Sequence, residues 1–309
     1  MELAAAPKPT TSQFFSDEDA DIIICADDRV NFRLYKVILA KASPVFEGML
    51  SLPQTPPQTD GEESPDWIAG KPVLPLSEDS HTLETLFRLC YPVEHPQLTQ
   101  LVEVHRVLEA ARKYQMDAIA DRVRVTWLAL AEDDPLRAFA LASTRYWGEE
   151  ARIAARFALA KPVWPLEALA LPNEFKGIPA GTAVQLISYH RKCGEAISIR
   201  LNNQAWSTQL YDSSACPHCL GKDAGSSISL KLKDWYTSYL KRVLPALIAQ
   251  PAPTTVTDPA LFQESLAHTF GSLHCDTPSH HIERSRQITQ SLATELERVL
   301  AEVVLDLEF

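Results

Sequence analysis

The sequence predicts an α+β fold, in which a small sheet covered by helices forms an N-terminal domain and a mainly α-helical C-terminal domain follows. Residues 21–25 form a short apolar run, and residues 30–34 alternate apolar and polar side chains with a period of two, which indicates strands. From residue 82 onward, apolar residues recur three and four positions apart, which indicates helices. Scarce glycine (10) and more frequent proline (22) favour helices joined by proline-containing connections.

The N-terminal elements follow from local patterns. Asp27, Asp28 and Arg29 suit a tight turn, so the two strands are predicted to form a hairpin. A helix is predicted next, over residues 35–42, and we expect it to bury Val37, Ile38 and Leu39. Ser43-Pro44 is typical of a helix N-cap with proline at the first helical position. The remaining predicted elements are helices over 45–50, 82–91, 99–114, 118–130, 148–159, 179–189, 229–247, 258–270 and 279–305, a helix beginning at Asp134-Pro135, and a strand over 71–76.

Two segments carry no regular pattern. Residues 1–16 are polar and contain prolines, so we expect a disordered tail. Residues 51–72 contain five prolines and an acidic stretch around Gly61, which predicts a long exposed loop inserted in the N-terminal domain.

Several short motifs carry a family resemblance. They are Asp21-Ile-Ile-Ile, Phe32-Arg-Leu-Tyr-Lys-Val-Ile-Leu-Ala, Ser43-Pro44-Val-Phe46, Met49, Leu86-Phe-Arg-Leu-Cys-Tyr91 and Ala110-Ala-Arg-Lys-Tyr-Gln-Met116. In this order they resemble the signature of the BTB/POZ family, and we assign residues 17–130 to such a domain. The resemblance implies a protein-interaction fold whose N-terminal helices often form a dimer interface.

The sequence departs from the family pattern in two places. Tyr35 stands where the family usually has histidine, so a local hydrogen bond of that histidine cannot be assumed. The proline-rich insertion lies where many BTB proteins carry a hydrophobic-x-acid element that grips a cullin ubiquitin-ligase scaffold, and no convincing copy follows residues 48–51. A cullin adaptor is therefore an alternative rather than the first prediction.

The C-terminal domain, residues 131–309, has weaker likenesses. Residues 134–160 resemble the start of a BACK-type helical region, on the strength of Trp147-Gly148 and the following alanine- and arginine-rich segment. Beyond Pro162 the likeness is to uncharacterised fungal BTB-domain-containing proteins only, which imply no definite function.

One constellation predicts metal binding. Cys216-Pro-His-Cys219 is followed by Leu-Gly, and two thiolates separated by two residues can hold one zinc ion in such a turn. His190 and Cys193 form a second pair at a suitable distance upstream. We predict a structural zinc site of Cys193, Cys216 and Cys219, with His190 or Cys275 as the fourth ligand. The alternatives are an exposed loop without metal, a redox Cys-x-x-Cys and a catalytic zinc, which lacks a nearby acidic base in sequence.

Composition and the absence of certain motifs exclude several functional classes. The formal net charge is −11, whereas proteins that bind nucleic acid without sequence preference typically have a basic surface. No stretch has the length and apolar character of a membrane-spanning helix. Residues 1–10 do not have the pattern of a signal peptide, and six cysteines in a chain of this length do not predict a disulfide framework, so we expect a reducing compartment and a cytoplasmic or nuclear location. No nucleotide-binding or hydrolase motif occurs, so we expect no enzyme.

The sequence thus predicts a protein–protein interaction protein that forms a homodimer through its BTB domain and selects a partner with its helical domain. Two alternatives stay open: a substrate adaptor for a cullin-type ubiquitin ligase, and a transcriptional regulator recruited through BTB contacts.

Overall fold

The structure, a computed structural model, describes residues 10–52, 66–162, 171–202, 225–270 and 278–307, with backbone alone for 225–234, 267–270 and 278–281. The chain divides into two compact units, Met1–Asp134 and Pro135–Phe309. The division lies four residues beyond the domain limit that the sequence suggested at residue 130. The helix predicted to begin at Asp134-Pro135 opens the second unit, because proline is readily accommodated at the first helical position.

A five-stranded sheet organises the first unit. The order of its strands is β1-β3-β2-β5-β4. Its strands are β1 (Thr10–Thr11), β2 (Ile22–Cys25), β3 (Val30–Leu34), β4 (Trp67–Ile68) and β5 (Lys71–Pro75). Strands β2 and β3 are antiparallel with Ile22 opposite Leu34, which confirms the predicted hairpin. Strand β5 runs parallel to β2, so the chain between them crosses over through two helices.

The outer strands differ from the sequence-based expectation. Thr10–Thr11 pairs with β3, and Phe15 is buried against the rings of Phe32 and Phe87, so residues 10–16 do not form the expected disordered tail. Strand β4 lies within the segment expected to be an irregular loop. It forms a hairpin with β5 through Ala69 and Gly70, which both adopt positive φ (50° and 70°), as a type I′ turn requires. Two-residue strands are too short to leave a periodic pattern.

Five helices accompany the sheet in the described residues of the first unit. They are α1 (Lys36–Ala42), α2 (Pro44–Ser51), α3 (Ser80–Cys90), α4 (Leu101–Lys113) and α5 (Asp117–Asp133). The core lies between these helices and the sheet, where Ile24, Phe32 and Leu86 are fully buried. Ile23 points to the opposite face of β2 from Ile24 and is also buried, so both faces of this strand are covered. The expectation for α1 is wrong in part: Leu39 is buried, but Val37 is 63% exposed.

The described residues of the second unit form helices joined by turns and irregular connections. Its helices are α6 (Pro135–Thr144), α7 (Gly148–Ala158), a short 3₁₀ helix (Asn173–Gly177), α8 (Ala180–Asn202), α9 (Gly225–Ala249), α10 (Pro253–Val256), α11 (Pro259–Phe270) and α12 (Pro278–Ala301). Helices α6 and α7 pack as a pair, while α8 packs against α9 and α12. The core contains Trp235, stacked on Tyr239, and the apolar stripe of α12 at Leu292 and Leu296.

Several helix ends differ from the predictions, including both ends of α9, which was predicted over 229–247. Helix α8 continues from the predicted end at residue 189 to Asn202, and α12 ends at Ala301 rather than at residue 305. Leu305 is still buried, but it lies beyond the helix. Within the described residues, no helix combines the length and the apolar character that crossing a bilayer requires.

Candidate functional site

The aspartate that begins the first sequence motif joins the hairpin to helix α1. The carboxylate Oδ1 of Asp21 accepts a hydrogen bond from the backbone N–H of Lys36 at 2.7 Å. The backbone N–H of Asp21 donates to the carbonyl oxygen of Leu34 at 3.2 Å, which closes the end of the hairpin. A carboxylate at this place satisfies one of the free N–H groups of a helix N-terminus. Asp21 therefore fixes the position at which α1 leaves the sheet.

A second cluster of motif residues fixes α2. The Ser43 hydroxyl accepts a hydrogen bond from the Phe46 backbone N–H at 3.0 Å and donates to the backbone carbonyl oxygen of Tyr114. The rings of Phe46 and Tyr114 stack with their centroids 4.7 Å apart. The predicted N-cap at Ser43 and proline at the first position are confirmed. These contacts connect α2 to the end of α4, although the two helices are far apart in sequence.

The hydroxyl group of Tyr114 forms a hydrogen bond with a glutamate side chain. The hydroxyl donates to Glu78 Oε2 at 2.6 Å. Burial, followed by this bond and the charge of Glu78, raises the pKa of the tyrosine well above its usual value. Tyr114 is thus a neutral donor at physiological pH, and Glu78 also pairs with Lys113 at 2.6 Å. The motif residues Ser43, Phe46 and Tyr114 therefore stabilise the fold by holding α2 against the end of α4.

Tyr35 makes its own local hydrogen bond at the place of the family's histidine. Its hydroxyl donates to the carboxylate of Asp17, and its backbone N–H donates to the hydroxyl of Tyr91 at 2.8 Å. The bond to Asp17 is the main cause that raises the pKa of Tyr35 to about 12, and it also lowers the pKa of Asp17. The larger aromatic side chain is therefore accommodated at this position.

Helices α1 and α2 expose apolar side chains. Val37 on α1 and Leu52, directly after α2, are each 63% exposed. Helix α2 buries only Phe46 and leaves its other large apolar side chains part-exposed. We call the set Val37, Val45, Met49, Leu50 and Leu52 the α1–α2 apolar surface. Isolated exposed apolar residues are ordinary, but two exposed and three part-exposed apolar side chains on α1, on α2 and directly after it favour a contact with another protein.

Comparison with known proteins identifies the first unit. The family model of the BTB/POZ domain matches residues 11–126. The N-terminal unit is a BTB/POZ domain. Such a domain is a protein–protein interaction module, and this property applies to the first unit of the chain. No curated protein matches the sequence.

The match to the BTB/POZ domain ends within α5. It includes residues 11–16, which the sequence analysis had placed in the tail and which the structure places in the sheet and core. The likenesses of residues 134–160 to a BACK-type region, and of the following residues to fungal proteins, remain predictions from the sequence.

The predicted zinc ligands are only partly described. Cys216, Cys219 and Cys275 lie outside the described residues, whereas His190 and Cys193 lie on α8. In the parts of the chain that the structure covers, no three His, Cys, Asp or Glu side chains form a cluster that could hold a metal ion. The predicted set as a whole therefore stays a prediction.

His190 and Cys193 lie in a continuous helix rather than after its end. Both residues are buried, at 1% and 0% exposure. The Nε2 atom of His190 is 3.4 Å from the carbonyl oxygen of Lys161, and burial lowers the pKa of its imidazole. Burial raises the pKa of the Cys193 thiol to about 11, against smaller opposing effects of Tyr189 and Arg156. Three positions apart on a helix, the two side chains share one side of α8.

Gly194, the residue after Cys193, lies where α8 packs against α9. A Cβ added there would lie 3.7 Å from the carbonyl oxygen of Ile248 on α9. Helices α8 and α9 therefore approach closely at this glycine.

The α1–α2 apolar surface was not predicted from the sequence. The pattern of residues 35–42 was interpreted as placing Val37, Ile38 and Leu39 together in the core. Three consecutive helical residues are spread over about 200° of the helix circumference, because each advances by about 100°. At most two of them can therefore face one core, and this geometric limit was the signal that could have revealed the exposed valine.

Proposed function

We propose that this chain is an interaction protein that self-associates through its BTB/POZ domain, while its helical unit selects a partner. The α1–α2 apolar surface is the observation that supports self-association. In the isolated chain it leaves Val37 and Leu52 in contact with water. Burying such side chains between two subunits is favourable, at roughly 25 cal/mol per Å² of apolar area.

The proposed mechanism is the burial of matching helix faces. A symmetric dimer presents the same surface twice, so each apolar side chain on one subunit meets the equivalent surface of the other. The rigid connection of α2 to α4 through Ser43, Phe46 and Tyr114 supports this mechanism, because a surface that is already ordered loses little entropy on binding.

Light scattering on the purified full chain tests self-association. We expect a mass near twice 34.4 kDa for the unaltered protein. Val37→Asp places a charge in the proposed interface and should raise the dimer dissociation constant at least about tenfold. Because Val37 is exposed in the single chain, the variant should keep its fold, as circular dichroism would check.

Val125→Asp is the matched control, because Val125 is 69% exposed on α5 of the same unit. This variant should dimerise like the unaltered protein. A monomer for the unaltered chain at tens of micromolar would overturn the proposal. So would equal weakening by the two substitutions.

Two narrower functions are alternatives that the same domain supports. A cullin adaptor would use the BTB/POZ domain to hold a ubiquitin-ligase scaffold, and co-purification with a cullin tests it. A transcriptional regulator would act in the nucleus through bound corepressors. Both fit the expected cytoplasmic or nuclear location, and neither requires catalysis by this chain.

We also propose the structural zinc site of Cys193, Cys216 and Cys219, with His190 or Cys275 as the fourth ligand. Two observations support it. The Nδ1 atom of His190 is buried and lacks a hydrogen-bond partner among the described residues, and Cys193 lies on the same side of α8. Zinc would need to displace the proton of a thiol whose pKa is about 11, which thiolate coordination achieves in zinc proteins.

Elemental analysis of the purified protein tests the zinc site. We expect about one zinc per chain, and Cys193→Ser or Cys219→Ser should release it. Cys25→Ser is the control, because Cys25 lies in the BTB/POZ domain at the end of β2 and should leave the zinc content unchanged. Metal-free protein after purification without chelators would contradict the proposal.

A further inference from the structure

The helical unit carries an open groove between α7, α8 and the end of α12. Ile153 and Phe157 of α7 contribute apolar walls, together with Leu300 of α12 and Leu305 beyond it. The cavity volume is about 320 Å³. Val304 also lines the groove and is 70% exposed. The groove therefore combines an apolar lining with an apolar side chain open to water.

Two arginines line the same groove, and they differ in their partners. The guanidinium of Arg156 pairs with Glu297 at 2.5 Å. The Nε atom of Arg152 donates to the carbonyl oxygen of Leu305 at 3.3 Å, and within the described part of the chain Arg152 makes no ion pair. In a chain of net charge −11, this groove thus offers a positive charge beside an apolar surface.

The shape of the groove favours a peptide over a small molecule. Pockets for small ligands enclose most of the ligand surface, whereas this groove is open along its length. Its volume of about 320 Å³ has room for a large apolar side chain, with the rest of the bound segment lying outside. Arg152 would then meet a carboxylate next to that side chain, because a guanidinium can donate two hydrogen bonds to one carboxylate.

We propose that this groove binds a peptide segment of a partner protein in which a large apolar side chain is flanked by an acidic residue. The apolar side chain enters between α7 and the end of α12, and the carboxylate pairs with Arg152. This inference rests on the proposed role of the helical unit in selecting a partner, and it names the chemistry of that partner.

Fluorescence anisotropy with the full chain and short labelled peptides tests the groove. The probe is fluorescein-Ser-Glu-Leu-Glu-Ser. Its two reference peptides replace both glutamates by glutamine, or the leucine by alanine. We expect saturable binding of the probe below about 1 mM, and binding weakened about threefold to tenfold for each reference peptide, because charge and apolar burial both contribute.

Two groove variants locate the binding. Arg152→Gln should weaken the acidic probe to the affinity of the glutamine peptide, and Val304→Glu should abolish binding by placing a carboxylate at the groove. Arg191→Gln is the matched control. It removes the same charge from an exposed position on α8 that pairs with Glu195 at 3.6 Å, and it should leave binding unchanged.

The outcomes separate this inference from self-association. Three outcomes would overturn the proposal that the groove binds an acidic peptide. They are no binding up to 1 mM, equal binding of the acidic and glutamine peptides, and equal effects of the Arg152 and Arg191 substitutions. Light scattering on the same samples reports the dimer independently. If the chain dimerises but does not bind the peptides, the proposed self-association is supported and only the proposed peptide site is overturned.

Discussion

At the scale of single residues, the family motifs of this chain are mainly structural. Asp21 binds the first N–H of α1, and Ser43 binds both the start of α2 and the carbonyl group of Tyr114. Such residues are recognisable in sequence because each satisfies a backbone group that the fold leaves without a partner. They position the α1–α2 apolar surface without belonging to it.

Replacement of Ser43 measures this structural role. Ser43→Ala should lower the free energy of unfolding by about 2 kcal/mol, because it leaves the Phe46 N–H and the Tyr114 carbonyl without their shared partner in a buried place. Chemical denaturation would measure the change. Ser51→Ala is the control, since its hydroxyl bonds to the Gly48 carbonyl at an exposed site and should change stability by less than about 0.5 kcal/mol. Equal losses for the two variants would contradict this role.

At the scale of elements, the long helices of the second unit are held by close packing. Helix α8 passes α9 at Gly194 and also packs against α12. The ion pair of Arg200 with Glu295, at 2.5 Å, connects α8 to α12, and Glu295 also pairs with Arg298. Hydrogen bonds from Arg298 and Arg200 lower the pKa of Glu295, so the carboxylate keeps its charge to a more acidic pH than an ordinary glutamate.

Two substitutions at Gly194 distinguish packing from flexibility. Gly194→Ala should raise the free energy of unfolding by about 0.5–1 kcal/mol, because the new Cβ meets α9 at an ordinary contact distance and alanine favours the helix. Gly194→Leu should lower it by about 1–3 kcal/mol, because a larger side chain must push α9 away. Thermal unfolding would show both shifts, and a stabilising leucine would contradict the close approach of the two helices.

At the scale of the whole molecule, the chain forms two compact units, for which different roles are proposed. The first matches the BTB/POZ family and carries the α1–α2 apolar surface, whereas the second carries the groove beside Arg152 and includes every residue proposed for the zinc site, of which His190 and Cys193 are described. A chain organised in this way can assemble through one unit and recognise a partner through the other. The experiments with Val37, Cys193 and Arg152 test these roles separately.

Sequence alone determined the family of the first unit and most of its elements. The motifs from Asp21 to Met116 could be recognised because their contacts are local caps, turns and buried stripes, which leave regular traces in sequence. The hairpin at 21–34 and the cap at Ser43 are examples. The helical character of the second unit followed from apolar spacing in the same way.

Only the tertiary structure determined which side chains are exposed, which short strands form and where the groove lies. Val37 is exposed because no described neighbour covers that side of α1, and strands β1 and β4 form because partner strands are present to bond them. His190 and Cys193 stay helical because α8 continues beneath neighbouring helices. The groove beside Arg152 exists only where α7 meets residues that follow α12, more than a hundred positions along the chain. Burial and long-range pairing depend on which segments are neighbours in the folded chain. The order of residues along one segment does not determine its neighbours.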